Sequence, residues 1–142
     1  GYAVGRGPGP VYPRPSRDET ELVYPVAQYD HDEGNAVGGG FVYRGQAIPE
    51  LQGKFVFAEF PRGRLLAIDA DALDPERTAE ITEIRLVIEG REQELVDVAG
   101  FPNTYGPGNR VDLRIGSDST GELYLLTKGD GWVRKLVPTP AR

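Results

Sequence analysis

Apolar residues along this chain come in short runs, broken by glycine, proline and acidic clusters. Eight strands are predicted, at residues 22–29, 39–44, 54–60, 64–69, 81–88, 111–115, 122–127 and 132–137. The first contains Pro25, which suits an edge strand because proline has no N–H for a ladder. In the fifth, Ile81, Glu83, Arg85 and Val87 alternate with Ile84, Leu86 and Ile88. No long segment repeats its apolar residues every 3.6 positions, so the fold class is all-β. Asp74-Pro75-Glu76 could open a single helical turn, with Asp74 as N-cap and Pro75 in the first helical position. Eight of the first fifteen residues are glycine or proline. Residues 1–20 are therefore expected to form no regular element, as an interaction arm or a connection laid along the surface.

The run GKFVFAEFPRGRLLAI (53–68) aligns without a gap on GELYLLTKGDGWVRKL (121–136), an offset of 68 residues. Gly53 meets Gly121 and Gly63 meets Gly131, so each copy reads as a glycine turn, a strand, a second glycine turn and a returning strand. Each copy follows another short strand, and residues 81–88 would give the first copy an outer fourth strand. Four antiparallel strands repeated in this way describe a propeller blade, although two hairpins of a sandwich could show the same match. The expected organisation is a 1–20 arm, a two-blade segment over 21–137 (about 21–90 and 91–137) and a 138–142 tail. Two blades leave two apolar faces open. The expected partners are therefore the remaining blades, in the same parent chain or in another subunit.

Composition narrows the function. The 142 residues include 19 glycines, 12 prolines and no cysteine, and the net charge is −6. Without cysteine there is no disulfide, thiolate metal site or cysteine nucleophile. An acidic chain without a lysine/arginine cluster is a poor match for nucleic acid or an anionic membrane surface. No apolar run is long enough for a helical membrane span. One histidine and no GxSxG leave no hydrolase triad to assemble.

Several motifs resemble the glucose/sorbosone dehydrogenase family, which includes the soluble PQQ-dependent sugar dehydrogenases and the Hedgehog-interacting-protein-like ectodomains. They are PVAQYDHDEG (25–34), GGFVYRG (39–45), IPELQGKFVF (48–57), GRL (63–65) and GELYLLT (121–127). The resemblance covers about residues 22–137 and is strongest over 43–63. It implies the C-terminal portion of a six-bladed propeller whose enzymes bind PQQ and calcium and oxidise a sugar hydroxyl. It also implies an extracytoplasmic location, periplasmic or secreted. The family's catalytic histidine belongs to an earlier blade, and His31 lies in a different motif, so no catalytic residue is expected here. The implied cofactor contacts are Arg62, Arg110 and Arg114, since a guanidinium fork suits PQQ's carboxylates. Pro61 stands where the family has a lysine, and Asp112 stands where a second arginine would be. Both departures favour the alternative of a non-catalytic carbohydrate- or protein-binding piece, or a structural subunit.

Other candidates come from the residues themselves. Asp30, Asp32 and Glu33 offer oxygen ligands on a glycine-containing loop, which suits calcium, or else they form a solvated turn. Asn103 and Tyr105 lie in the longest connection and could meet a sugar by hydrogen bonding and stacking, or the loop could simply close a gap between blades. The Gly38-Gly39-Gly40 triplet lacks the lysine of a phosphate loop and reads as close backbone approach. Trp132 reads as a packing residue.

Overall fold

A computed structural model describes residues 25–74 and 77–139. The 1–20 arm, the start of the predicted 22–29 strand, the helical turn at 74–76 and the last three residues of the tail lie wholly or partly outside them.

In chain order the strands are β1 (Val37–Val42), β2 (Lys54–Glu59), β3 (Arg64–Asp69), β4 (Thr82–Ile84), β5 (Val87–Ile88) and β6 (Arg91–Glu92). A short helix, α1 (Leu95–Ala99), precedes β7 (Phe101–Pro102), β8 (Asn109–Arg110), β9 (Leu113–Ser117), β10 (Leu123–Thr127) and β11 (Trp132–Lys135). The first sheet has the order β1-β2-β3-β4, and the second β11-β10-β9. All pairings are antiparallel. The all-β reading holds. Where four strands were expected in each unit, the second sheet has three among the described residues.

The repeat is carried by backbone geometry. Gly53 and Gly121 sit at φ +74° and +83°, and Gly63 and Gly131 at +77° and +71°. These are left-handed conformations that glycine adopts without a Cβ penalty. Cross-strand partners also match: Val56 faces Ala67 as Tyr124 faces Lys135, and Ala58 faces Leu65 as Leu126 faces Val133.

Strand alternation divides each sheet into two faces. Val56, Ala58, Leu65 and Ala67 form what we term the front of the first sheet. They share one buried cluster with Leu113, Leu123 and Leu125 of the second sheet. Leu123 and Leu125 are the repeat equivalents of Phe55 and Phe57, which lie on the back of the first sheet. The two units therefore pack front to back. The back of the first sheet forms its own cluster of Phe57, Leu66 and Ile68, against which Ala27, Tyr29, Ala79 and Ile81 pack.

Three differences from expectation have local causes. Pro25–Tyr29 is not a strand: Val26 accepts a hydrogen bond from the Ala79 N–H (2.7 Å), and the segment covers the back face as a loop. The predicted 81–88 strand is interrupted at 85–86: β4 stays on the first sheet, while Glu89 and Gly90, at φ +52° and +79°, turn β5 into a hairpin with β6. The 111–115 strand begins only at Leu113, because Asp112 lies at φ +56°. Helix α1 is too short to give a periodic signal; it buries Leu95 and Ala99, four residues apart.

At the end of the sheets that carries the β1–β2 loop, one carboxylate ties the units together. Glu122 accepts hydrogen bonds from the Tyr43 hydroxyl (2.8 Å) and from the Gln46 (2.9 Å) and Ala47 (3.1 Å) N–H groups. A Cβ on Gly45 would lie 2.5 Å from that carboxyl group, so glycine is needed for the approach. The Tyr43 hydroxyl is the largest influence holding the Glu122 pKa below the usual carboxylate range, and the backbone donors add to it.

Leu65 is 1% exposed and its repeat equivalent Val133 is 60% exposed. Leu65→Ala is expected to lose about 2–5 kcal/mol, and Val133→Ala less than about 1 kcal/mol. Urea unfolding of the two variants measures both. Equal losses would contradict the front-to-back assignment.

Candidate functional site

Three loops meet at the opposite end of the sheets. They are the β2–β3 hairpin turn at 60–63, the segment from β7 to the start of β9, and the β10–β11 hairpin turn at 128–131. The backbone joins them: Leu113 N–H donates to Phe60 O (3.0 Å), Val111 N–H to Pro61 O (2.7 Å), and Lys128 N–H to Val111 O (3.2 Å). Residues 111–113 are thus held between two hairpins from different units. Buried Glu59 steadies the first hairpin by accepting the Arg62 N–H (2.9 Å), and it also accepts the Asn35 N–H (2.8 Å).

Cations and aromatic rings gather around this stitch. The Arg114 guanidinium lies 3.9 Å from the Phe60 ring centroid, and that of Arg110 lies 5.6 Å from the same ring. Arg110 also lies 5.9 Å from the Tyr105 ring, and Lys128 5.7 Å from Phe101. Such placements favour a cation over a ring face. Asp112 bridges two of the cations, with Arg110 Nε at 2.5 Å and Lys128 Nζ at 3.7 Å. Its left-handed backbone conformation is one that aspartate tolerates better than most side chains, and it occurs where the chain passes between the hairpins. Three cations and one carboxylate leave the cluster with a net positive charge in a chain of net charge −6.

The structure brings Arg110, Arg114 and Tyr105 together as one group. Tyr105 is 89% exposed at the tip of the β7–β8 loop. The Asn103 side-chain oxygen accepts the Tyr105 N–H (3.1 Å), and the Asn103 backbone N–H donates to Gly108 O (3.0 Å), so Asn103 shapes the loop that presents the ring. Arg62 lies exposed in the adjoining hairpin. Asp30, Asp32 and Glu33 lie in a separate turn. There Asp30 Oδ1 accepts the N–H groups of Asp32 (3.0 Å) and Glu33 (3.2 Å). Among the described residues no three His, Asp or Glu side chains gather as a metal group.

The sequence reading missed Phe60 and Lys128. The repeat offers a signal for both, since they are equivalent residues at the 68-residue offset, each following the second strand of its unit. The charge on Asp112 is neutralised inside the cluster by Arg110 and Lys128, a pairing that spacing alone did not indicate.

The 128–131 turn is braced by Asp130, which accepts the Trp132 N–H (3.1 Å) and also bonds Arg134 and Thr127. The Arg134 guanidinium is the main influence, and with Thr127 and the Trp132 N–H it lowers the Asp130 pKa from 3.8 to about 2. A depressed carboxylate pKa adds stability above the unfolded value, and that stability is lost as pH falls through the folded one. The melting temperature of Asp130→Asn should therefore lie below that of the parent chain at neutral pH. The gap should close between about pH 4 and pH 2. A gap that persists at pH 2 would contradict this role.

No known family profile matches the chain. The chain is 24% identical over 152 aligned residues to the HIPL1 protein of Arabidopsis thaliana, an alignment covering 98% of this chain and 21% of that protein. The likeness is distant, and the chain spans about a fifth of the length of that curated relative.

Proposed function

We propose that this chain is the C-terminal part of a propeller of the sugar-dehydrogenase-like kind, working outside the cytoplasm and oxidising a sugar hydroxyl once the remaining blades complete it. The carrying observation is the cluster in which Arg110 and Arg114 both lie against Phe60, with Lys128 alongside. Distant likeness to the HIPL1 protein and the motifs over 22–137 support the same reading.

The residues fit a planar, carboxylate-bearing cofactor such as PQQ. One carboxylate, Asp112, offsets only part of the charge of three cations, so the cluster has positive charge left for an anion. In this reading Arg110 and Arg114 hold cofactor carboxylates and Arg62 approaches from the neighbouring hairpin. When bound, PQQ supplies the two-electron oxidant. Tyr105 and Asn103 present a ring and an amide to a sugar at the rim. Family resemblance also implies calcium, but Asp30, Asp32 and Glu33 do not gather as a metal group and lie apart from the cation cluster, so they are given no part in this reading. The general base belongs to a blade outside this chain.

A second reading, a non-catalytic propeller that binds carbohydrate or protein, rests on Pro61 and on the ion pair of Asp112 with Arg110. Titrating PQQ into the ring-completed protein, followed by absorbance, separates the two. The enzyme reading expects saturable, calcium-dependent binding, weakened about 10–100-fold in Arg110→Ala or Arg114→Ala by loss of a charge-assisted hydrogen bond. Absence of saturable binding leaves the non-catalytic reading.

A further inference from the structure

The charges of the cluster leave two positive poles, one on each side of the 111–113 segment. Asp112 balances one cation, and Arg110 is its close partner, at 2.5 Å and with a side chain only 18% exposed. Lys128 Nζ stands 3.7 Å from the other carboxylate oxygen, beyond hydrogen-bond reach, and its side chain is 73% exposed. Among the described residues Arg114 has no carboxylate partner. Its guanidinium rests on Phe60 and donates to Leu113 O (3.2 Å). The first pole is therefore Arg114 on the Phe60 ring of the β2–β3 hairpin. The second is Lys128 of the β10–β11 hairpin, beside the Phe101 ring.

Backbone contacts hold the second pole in place. The Lys128 N–H is tied to Val111 O. Gly129 follows, where a Cβ would collide with Ala99 O and lie 2.9 Å from Phe101 Cδ1. Glycine there lets the turn lie directly against the start of β7. The ammonium itself makes no side-chain hydrogen bond among the described residues, so its three donors face solvent. Phe101 pairs with Arg110 in the β7–β8 ladder, and the tip of the same hairpin presents the exposed Tyr105 ring. One hairpin thus sets an open aromatic face beside a cation that has no hydrogen-bonding partner. That pairing suits a ligand with an apolar C–H face, hydroxyl groups and one carboxylate.

We propose that the sugar taken at this rim is an acidic one, a uronate, and that Lys128 selects it by holding its carboxylate. The inference rests on the reading that a sugar binds beside Tyr105 and Asn103, and it deepens that reading by naming the sugar's class. A neutral hexose carries a hydroxymethyl group where the uronate carries its carboxylate, and so leaves the Lys128 pole unmet. The Arg114 pole stays free for the cofactor, so the two poles serve two different anions. Because Lys128 is exposed, its selectivity is screened by salt.

The test titrates glucuronate and glucose separately into the 142-residue chain, without PQQ, and follows the backbone amides by NMR. Glucuronate is expected to bind about tenfold tighter than glucose at low salt, the scale of one charge-assisted hydrogen bond. The largest shifts should fall at 101–105 and 128–129, and added salt should narrow the preference. Lys128→Gln should abolish the preference and Lys128→Arg should keep it, with the melting temperature unchanged in both because the side chain is exposed. Equal affinity for the two sugars overturns the proposal. So does a preference that survives Lys128→Gln and disappears in Arg114→Gln, which would put the carboxylate at the first pole. Displacement of glucuronate by an equal concentration of acetate would reveal a bare anion site and also overturns it. PQQ binding to the ring-completed protein should be unchanged in Lys128→Gln. If PQQ fails to bind while the uronate preference holds, the oxidative reading falls and the acidic-sugar site stands.

Discussion

The structure depends on one packing rule: the front of one sheet must bury the back of the next. Val56, Ala58, Leu65 and Ala67 are small or branched residues that let the second sheet approach, and Leu113, Leu123 and Leu125 fill the space between. An interface that joins two different faces of the same repeat is heterologous, and such interfaces generate rings when the rotation closes. The pair described here uses one front and one back. The second sheet's front remains exposed at Leu126 and Val133. Burial of apolar area drives this contact, at about 25 cal/mol per Å², while polar groups at its two ends fix its register.

The two ends do different work. At one, Glu122 binds Tyr43 and the 46–47 backbone and locks the units against sliding. At the other, residues 111–113 run between two hairpins and bring side chains from both units into one cluster. A carboxylate clamp at the first end fixes the geometry at which Arg110, Arg114, Phe60 and Lys128 meet at the second. The candidate site is thus a product of the inter-unit interface, and neither unit contains it alone.

Much of the fold was legible in the sequence because glycine marks the turns. The 53/121 and 63/131 pairs adopt the left-handed conformations that the alignment required. Strand ends were less legible where the cause is tertiary. Asp112 delays β9 because its carboxylate is held by Arg110 and Lys128, and Pro25–Tyr29 becomes a cover for Phe57 and Leu66. Of the cluster, family resemblance and loop length pointed to Arg110, Arg114 and Tyr105, which the fold brings together. Phe60 and Lys128 are marked in sequence only as repeat equivalents, and their chemistry shows once the fold sets them beside the arginines. The acidic turn at 30–33 was conspicuous in sequence, and in the structure its Asp30 caps its own backbone.

Amide hydrogen exchange at four repeat-equivalent positions tests the central claim, that two like units are joined front to back with the next junction open. Leu65 and Ala67 should be strongly protected by the β3–β4 ladder and the buried front, and Val133 and Lys135 should exchange near the rate of free amides. Equal protection at both pairs would contradict the account, since the second unit's edge and front would then be covered within the chain itself.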